Sequence, residues 1–339
     1  MTLQFPSSRA IYLECGGFYD REIASFLAER EGKRLRTIDR FCAVLVIGGA
    51  AAVAVMAFGP FGSNNFEFAF LVAFIGLAAA GFLLDRTRTE ITHGLLKRIA
   101  ASLGFDYRGS PGRPALYEQF LRLKLIPGHN VEKFEDEVTG AYADSRFTLC
   151  EAHLEVKSSN KKSSRRTVFH GQLIAIDYPK AFLGSTVVLR DMGPLNALMK
   201  PGKGYARVGL ASPAFEKSFE AWSTDQVEAR DLLDPIVLER FQELERLFGG
   251  KQLRAAFDGG KLLIAVETGD RLNIGTMFKP IDGAGRVETI LKEFDVVFDL
   301  IDVLLARHNG TMNGAFSLSH VKASAHDGQP FGRAGNAGI

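Results

Sequence analysis

Two apolar runs dominate the hydrophobic pattern, Phe41 to Gly59 and Phe66 to Leu84. Each covers about 19 residues, close to the roughly 20 that a helix needs to cross a bilayer core. The first carries no charge, and the second only Glu67, one residue in from its start. Pro60-Phe61-Gly62-Ser63-Asn64-Asn65 between them is a turn-rich string that suits a tight helical hairpin. Buried helices of a soluble core rarely run this long without a polar residue. Upstream, Ile23, Phe26, Leu27, Leu35 and Ile38 recur at helical spacing within Phe18 to Arg40. They predict an amphipathic helix leading into the first run, lying either on the inner membrane surface or against the soluble part.

Downstream the pattern is that of an ordinary domain. Ile91, Leu95, Leu96, Ile99 and Leu103 mark one helix face closed by Gly104, and Gly109 to Pro114 reads as a linker. A short helix is expected over 115–125, ending at Pro127-Gly128. The period then changes to two, and strands are predicted at 138–143, 146–157, 167–178 and 186–190. The two long ones flank the polar loop Ser158–Arg166. A symmetric hairpin puts Cys150, Ala152, Leu154 and Val156 on one face with Phe169, Gly171 and Leu173. The other face then holds Glu151, His153 and Glu155 near His170 and Gln172.

A loose Gly/Pro-rich stretch, Gly193 to Gly204, opens a second half with strands near 206–210 and 215–222. Asp225 and Glu228 are spaced as a capping box, and Asp234-Pro235 places an N-cap before a proline at the first helical position. That helix runs to Phe248. A hairpin, 252–257 and 261–267, turns at Asp258-Gly259-Gly260. A long amphipathic helix over 286–307 closes the fold with Val287, Ile290, Leu291, Phe294, Val297, Phe298, Ile301 and Leu305. From His308 onward small and polar residues dominate, and a disordered tail is expected.

The fold class is therefore α+β: an N-terminal transmembrane helical hairpin followed by a mostly antiparallel sheet domain with packed helices. The domains are residues 1–40 as a cytoplasmic segment, 41–84 as the hairpin, 85–126 as juxtamembrane helices and linker, 127–307 as a cytoplasmic α+β domain, and 308–339 as the tail. Charge sets the orientation. Arg30, Lys33, Arg34, Arg36 and Arg40 precede the first run, and Arg86, Arg88, Lys97 and Arg98 follow the second, while the tip has neither Lys nor Arg. The positive-inside rule then places both termini in the cytoplasm and the tip outside, as expected of a multi-pass membrane protein. A cleavable signal is not expected, because some 40 residues, many of them charged, precede the first run. Cys15, Cys42 and Cys150 lie in separate regions and suggest neither a disulfide framework nor a zinc site. With 41 basic and 39 acidic residues, a nucleic-acid partner is not expected.

Two blocks then carry a family likeness. The first is Phe147 to Lys180, with Glu151-Ala152-His153, the basic loop, Thr167-Val168-Phe169-His170-Gly171 and Asp177-Tyr178-Pro179-Lys180. The second is Phe215 to Pro235, with Asp225-Gln226-Val227-Glu228-Ala229-Arg230 and Leu233-Asp234-Pro235. In order and content they resemble the bacterial family known as domain of unknown function 3137, over roughly Arg21 to Arg307. The resemblance implies a two-span hairpin followed by a cytoplasmic domain. It supplies no activity and no catalytic residues.

Candidate chemistry is sparse. His153 and His170 with Glu151 and Glu155 would suffice to hold a divalent metal. A polar outer sheet face explains the same residues, and neither a metal nor a cofactor is expected. Lys157, Lys161, Lys162, Arg165 and Arg166 form a basic loop suited to phosphate or anionic lipid, or simply to a solvated turn. Capping accounts for Asp225, Glu228 and Asp234 without catalysis. No P-loop, Gly-x-Ser-x-Gly elbow or His-Glu-x-x-His occurs, and Lys200-Pro-Gly-Lys-Gly204 lacks the P-loop spacing. Gly48/Ala52 and Gly76/Ala80 are small-residue pairs suited to packing within the hairpin or between copies. The reading is of a membrane-anchored binding or scaffolding module whose partners are the lipid bilayer and an anionic lipid or a protein. The alternative is a membrane-tethered enzyme acting on a lipid or envelope precursor.

Overall fold

The computed structural model describes residues 19–142, 145–158, 164–190, 201–209, 216, 219–247, 249, 251–269, 275–281 and 283–308. The chain divides into two compact units. Among the described residues one holds 19–98 and 275–287, and the other 99–269 and 288–308.

In the first unit, a π-helical turn (Tyr19–Ile23) leads into α1 (Ala24–Phe58), and α2 (Asn65–Ser102) returns after a short 3-10 turn. Both helices are long and apolar enough to cross a membrane. The predicted leading helix is a continuous extension of the first span within α1, with Phe26 and Leu27 buried. The two helices meet at their small residues: a Cβ on Gly48 would lie 3.3 Å from the Gly76 Cα, and Ala80 is fully buried. At the tip, Asn65 accepts from the Phe61 amide (3.0 Å) and donates to the Gly59 carbonyl (2.9 Å). Below the apolar runs, Lys33 contacts both Glu90 oxygens at 2.5 Å, and Thr37 and Thr87 hydroxyls lie 3.3 Å apart. Arg34, almost fully buried, grips Glu31 with two nitrogens and donates to the Met277 carbonyl at 2.5 Å. Lys33 thus joins α1 to α2 at the hairpin base, whereas Arg34 ties α1 to the segment at Met277. The Glu31 and Glu90 carboxyls sit below their ordinary range because Arg34 and Lys33 hydrogen-bond to them.

The second unit is built on an antiparallel sheet of nine strands among the described residues. These are β1 (Asp106–Arg108), β2 (Val131–Tyr142), β3 (Ser145–Lys157), β4 (Arg165–Asp177), β5 (Thr186–Arg190), β6 (Ala206–Val208), β7 (Phe219–Ser223), β8 (Lys251–Asp258) and β9 (Lys261–Glu267). Their order is β1-β2-β3-β4-β9-β8-β5-β7-β6. The sheet's two halves are joined by the β4–β9 pairing, in which Gly171 stands opposite Glu267 and Asp177 opposite Lys261.

The helices are α3 (Tyr117–Arg122), α4 (Gln226–Leu232), α5 (Pro235–Leu247) and α6 (Gly283–His308). One sheet face packs Cys150, Ala152, Leu154, Phe169 and Leu173 into a core with Tyr117 and Phe120 of α3. The other receives α6, whose Phe298 ring sits 5.7 Å from Phe147 and stacks on Tyr142. Gly259 and Gly260 both have positive φ (59° and 75°), as a two-residue hairpin turn that matches the strand twist requires.

The caps follow the sequence with one difference. Asp225 accepts from the Val227 and Glu228 amides, and Asp234 from Ile236 and Val237. The reciprocal arm of the capping box is not formed, because the Ser223 hydroxyl already satisfies the Asp225 amide. Glu228 accepts instead from the Leu183 and Gly184 amides, both at 2.9 Å, tying the loop before β5 to α4. The stretch 193–200, most of 211–218 and the tail beyond 308 lie outside the described residues.

Candidate functional site

The predicted hairpin register is observed: His153 pairs with His170, Glu151 with Gln172 and Ala152 with Gly171. The two imidazoles stack with centroids 4.4 Å apart and planes 12° from parallel. His170 Nε2 lies 3.3 Å from Glu151 Oε1, Gln172 donates to Glu151 Oε2 at 3.1 Å, and His153 Nε2 lies 3.0 Å from the Thr167 hydroxyl. Glu151 and Gln172 are buried, and the Gln172 side-chain oxygen Oε1 has no hydrogen-bond partner among the described residues. Beside His170 a cleft of about 340 Å³ opens between the 167–170 stretch of β4 and Glu267-Thr268-Gly269. Its wall is closed by the Thr268 and Gly269 amides, which donate to the His170 carbonyl at 3.1 and 3.0 Å. Among the described residues, no three His, Cys, Asp or Glu side chains gather as a metal set. The arrangement is a polar ladder in which each imidazole has its own oxygen partner.

Of the basic loop, Lys157, Arg165 and Arg166 are exposed at the end of the β3–β4 hairpin, and Lys161 and Lys162 lie outside the described residues. Lys157 pairs with Arg165 across the strands, and Arg165 approaches Glu155 at 3.6 Å. The cations are therefore held at one sheet end, with one of them partly neutralised.

The opposite face of the same strands holds a half-open, largely apolar pocket of about 280 Å³. Its walls follow from the register. Cys150 stands beside Leu173, and Thr148 beside Ala175; Asp177, one pleat further, pairs with Lys261. Leu116 and Phe120 cover this ladder, and Arg146 stands at its polar end. Phe120, Cys150 and Leu173 are buried, Thr148 and Ala175 half-buried, and Arg146 exposed. Lys261 is ion-paired with Asp177, whereas no ion pair or hydrogen bond engages the Arg146 guanidinium among the described residues. Burial, reinforced by the carboxylates of Glu137, Asp136 and Glu151, pushes the Cys150 thiol well above its usual range. A thiol so held is a poor nucleophile. Its sulfur lies 3.7 and 3.5 Å from the Glu135 and Glu151 carbonyl oxygens, either of which can accept the thiol hydrogen.

Sequence reasoning placed Cys150 and Leu173 in the core but did not single out this pocket. Alternation within β3 and β4 puts Arg146, Thr148 and Cys150 on one face with Leu173, Ala175 and Asp177. What it could not supply is the distant β9 neighbour, Lys261, or the cover from α3.

Residues 167–305 match the family described as "Protein of unknown function (DUF3137)", which bears out the resemblance over that stretch. No curated protein matches the chain. Among solved structures, the chain is similar to the mycobacterial trehalose monomycolate transport factor A, TtfA, at 13% identity and a TM-score of 0.32. That alignment covers 60% of this chain and 95% of the transport factor.

Proposed function

We propose that the protein is a membrane-anchored binding module, held in a bacterial inner membrane by the α1–α2 hairpin with both termini in the cytoplasm. Anchoring is supported by the large apolar side chains that the hairpin turns outward, among them Val46 (70% exposed), Phe58 (88%) and Phe70 (67%). A contiguous apolar surface of that kind marks a protein or membrane contact. The orientation is supported by the basic residues at the hairpin base and their absence from the tip.

The observation that carries the binding role is the half-open apolar pocket on the β3–β4–β9 face. Its floor is apolar, its charges lie at one end, and its one thiol is held protonated. Such a lining orients a ligand and offers no activated nucleophile. The stacked histidines beside buried Glu151 favour a second reading, an enzyme acting on a lipid or envelope precursor, because an imidazole held by a carboxylate can serve as a general base. Phosphate or lipid contact by Lys157, Lys161, Lys162, Arg165 and Arg166 belongs to the binding reading.

Native-state limited proteolysis of the full chain in nanodiscs, with and without total membrane lipid extract supplied as micelles, tests the two together. Binding without turnover slows cleavage near residues 113–117 and leaves the lipid unchanged by mass spectrometry. Conversion of lipid that is lost in His170→Gln would replace this reading with the enzymatic one.

A further inference from the structure

We infer that the β3–β4–β9 pocket receives the chain of an anionic single-chain amphipath, with Arg146 binding its carboxylate or phosphate head. The inference rests on the binding reading above and names its ligand class.

The pocket is graded along its length. Cys150 and Leu173 form the deep end with Phe120, Thr148 and Ala175 the middle under Leu116, and Arg146, Asp177 and Lys261 the end where charge begins. A ligand polar throughout would leave its groups unpaired against the deep end, which costs more than it returns. A ligand apolar throughout would waste the charged end. An amphipath matches both.

The sign of the head follows from the charge count at that end. Lys261 is already paired with Asp177, so Arg146 is the uncompensated group, and the ensemble of two cations and one carboxylate is net positive. Guanidinium binds carboxylate and phosphate through two parallel hydrogen bonds, which suits it to either head. The volume, about 280 Å³, lies just below the ~300–1,000 Å³ range of ligand pockets and limits the occupant to one chain of moderate length. The Thr148 hydroxyl adds a polar atom between the head and the deep end.

The test uses the full chain in phosphatidylcholine nanodiscs and decanoic acid carrying a terminal diazirine as the probe. After irradiation, label is mapped by peptide mass spectrometry, which separates pocket occupancy from partition into the disc. The expected label falls on 114–120, 148–150 and 173–175. It is competed by decanoate at least tenfold better than by decanol and reduced at least tenfold in Arg146→Glu. Arg146 is exposed, so that variant keeps its fold, and unchanged label in 41–84 serves as its control. A second variant, Ala175→Met, fills the cavity and removes the pocket label while leaving the hairpin label. Label confined to 41–84, equal competition by decanol, or full labelling of Arg146→Glu would overturn the inference. Retention of the chain in membranes after alkaline carbonate extraction reports on anchoring alone, so failure there is distinguishable from failure of the pocket.

Discussion

Replacing Asp234 by alanine removes the N-cap of α5. One carboxylate oxygen accepts from two successive amides, Ile236 at 2.9 Å and Val237 at 3.0 Å. The two hydrogen bonds are part-buried, with the Val237 side chain fully buried and Leu238 nearly so. Loss of an Asp cap costs roughly 0.5–2 kcal/mol. Two amides losing their acceptor together place the loss in the middle to upper part of that range, about 1.5 kcal/mol. Of this, the charge at the helix N-terminus contributes about 0.5 kcal/mol, within the usual 0.3–1 for such a group. Asp234→Asn, which keeps the acceptor and loses the charge, should therefore recover about two-thirds of the loss. With a urea dependence of about 1–3 kcal/mol per molar, the alanine variant should unfold at a midpoint lower by roughly 0.5–1.5 M. Trp222, the sole tryptophan, lies in β7 shortly before α4 and α5 and reports the transition by fluorescence. The full chain in detergent is the material, and its membrane insertion should be unchanged. An unchanged midpoint, or an asparagine variant as unstable as the alanine one, would refute the capping account. Unchanged stability with loss of a measurable activity would give Asp234 a functional role instead.

Gly171→Ala should be severely destabilising, because its Cβ would sit 2.0 Å from the Val266 carbonyl oxygen and 2.8 Å from the Glu267 Cα. The strands at the centre of the sheet would have to part; a loss of more than about 3 kcal/mol in urea unfolding is expected, and one below about 1 would refute the β4–β9 pairing. Acid should weaken the fold. Burial raises the Asp258 carboxyl, but hydrogen bonds from Ser185, Gln119 and Arg122 outweigh it and hold the group below its ordinary value. A lowered folded-state pKa gives stability that is complete above the unfolded value, near 3.9, and is lost as pH falls through the folded one. The urea midpoint should stay level from pH 7 to 5 and fall below about pH 4, less steeply in Asp258→Asn; an equal fall in both would remove Asp258 from the account. The basic loop should sit near anionic headgroups. With native cysteines replaced by serine, a polarity-sensitive dye on Ser158→Cys should shift to the blue in nanodiscs containing phosphatidylglycerol. The shift should disappear between 0.1 and 1 M salt, as the screening length falls from about 10 Å to about 3 Å. The same spectrum in neutral discs would leave the loop a solvated turn.

Local patterning carried most of the elements. The apolar runs, the 153–170 register, the Asp225 and Asp234 caps and the Gly259-Gly260 turn are set by neighbours in sequence, and each is where the pattern places it. β2 was legible only in its second half. Between Glu135 and Val138 the strand carries a bulge, with Asp136 at φ 51°, and this breaks the period of two. β1 is three residues long, too short for any periodic signal. The order of the sheet was not legible, because the β4–β9 and β5–β8 pairings join strands far apart in the chain. For the same reason the histidine ladder, formed within one hairpin, could be read in advance, whereas the pocket could not. Its charged end needs Lys261 beside Asp177, and its cover needs Leu116 and Phe120.

The proposed anchor has its tip outside the membrane and its sheet domain on the inner side. It is tested most directly by paired reporter fusions in a bacterial host, one inserted at Asn64 and one at the C-terminus. Alkaline phosphatase, active only outside the inner membrane, and green fluorescent protein, which fluoresces when it stays inside and not when the Sec pathway carries it across, form the pair. Phosphatase activity at Asn64 and fluorescence at the C-terminus are expected of this orientation. Phosphatase activity at the C-terminus, or fluorescence at Asn64, would contradict it.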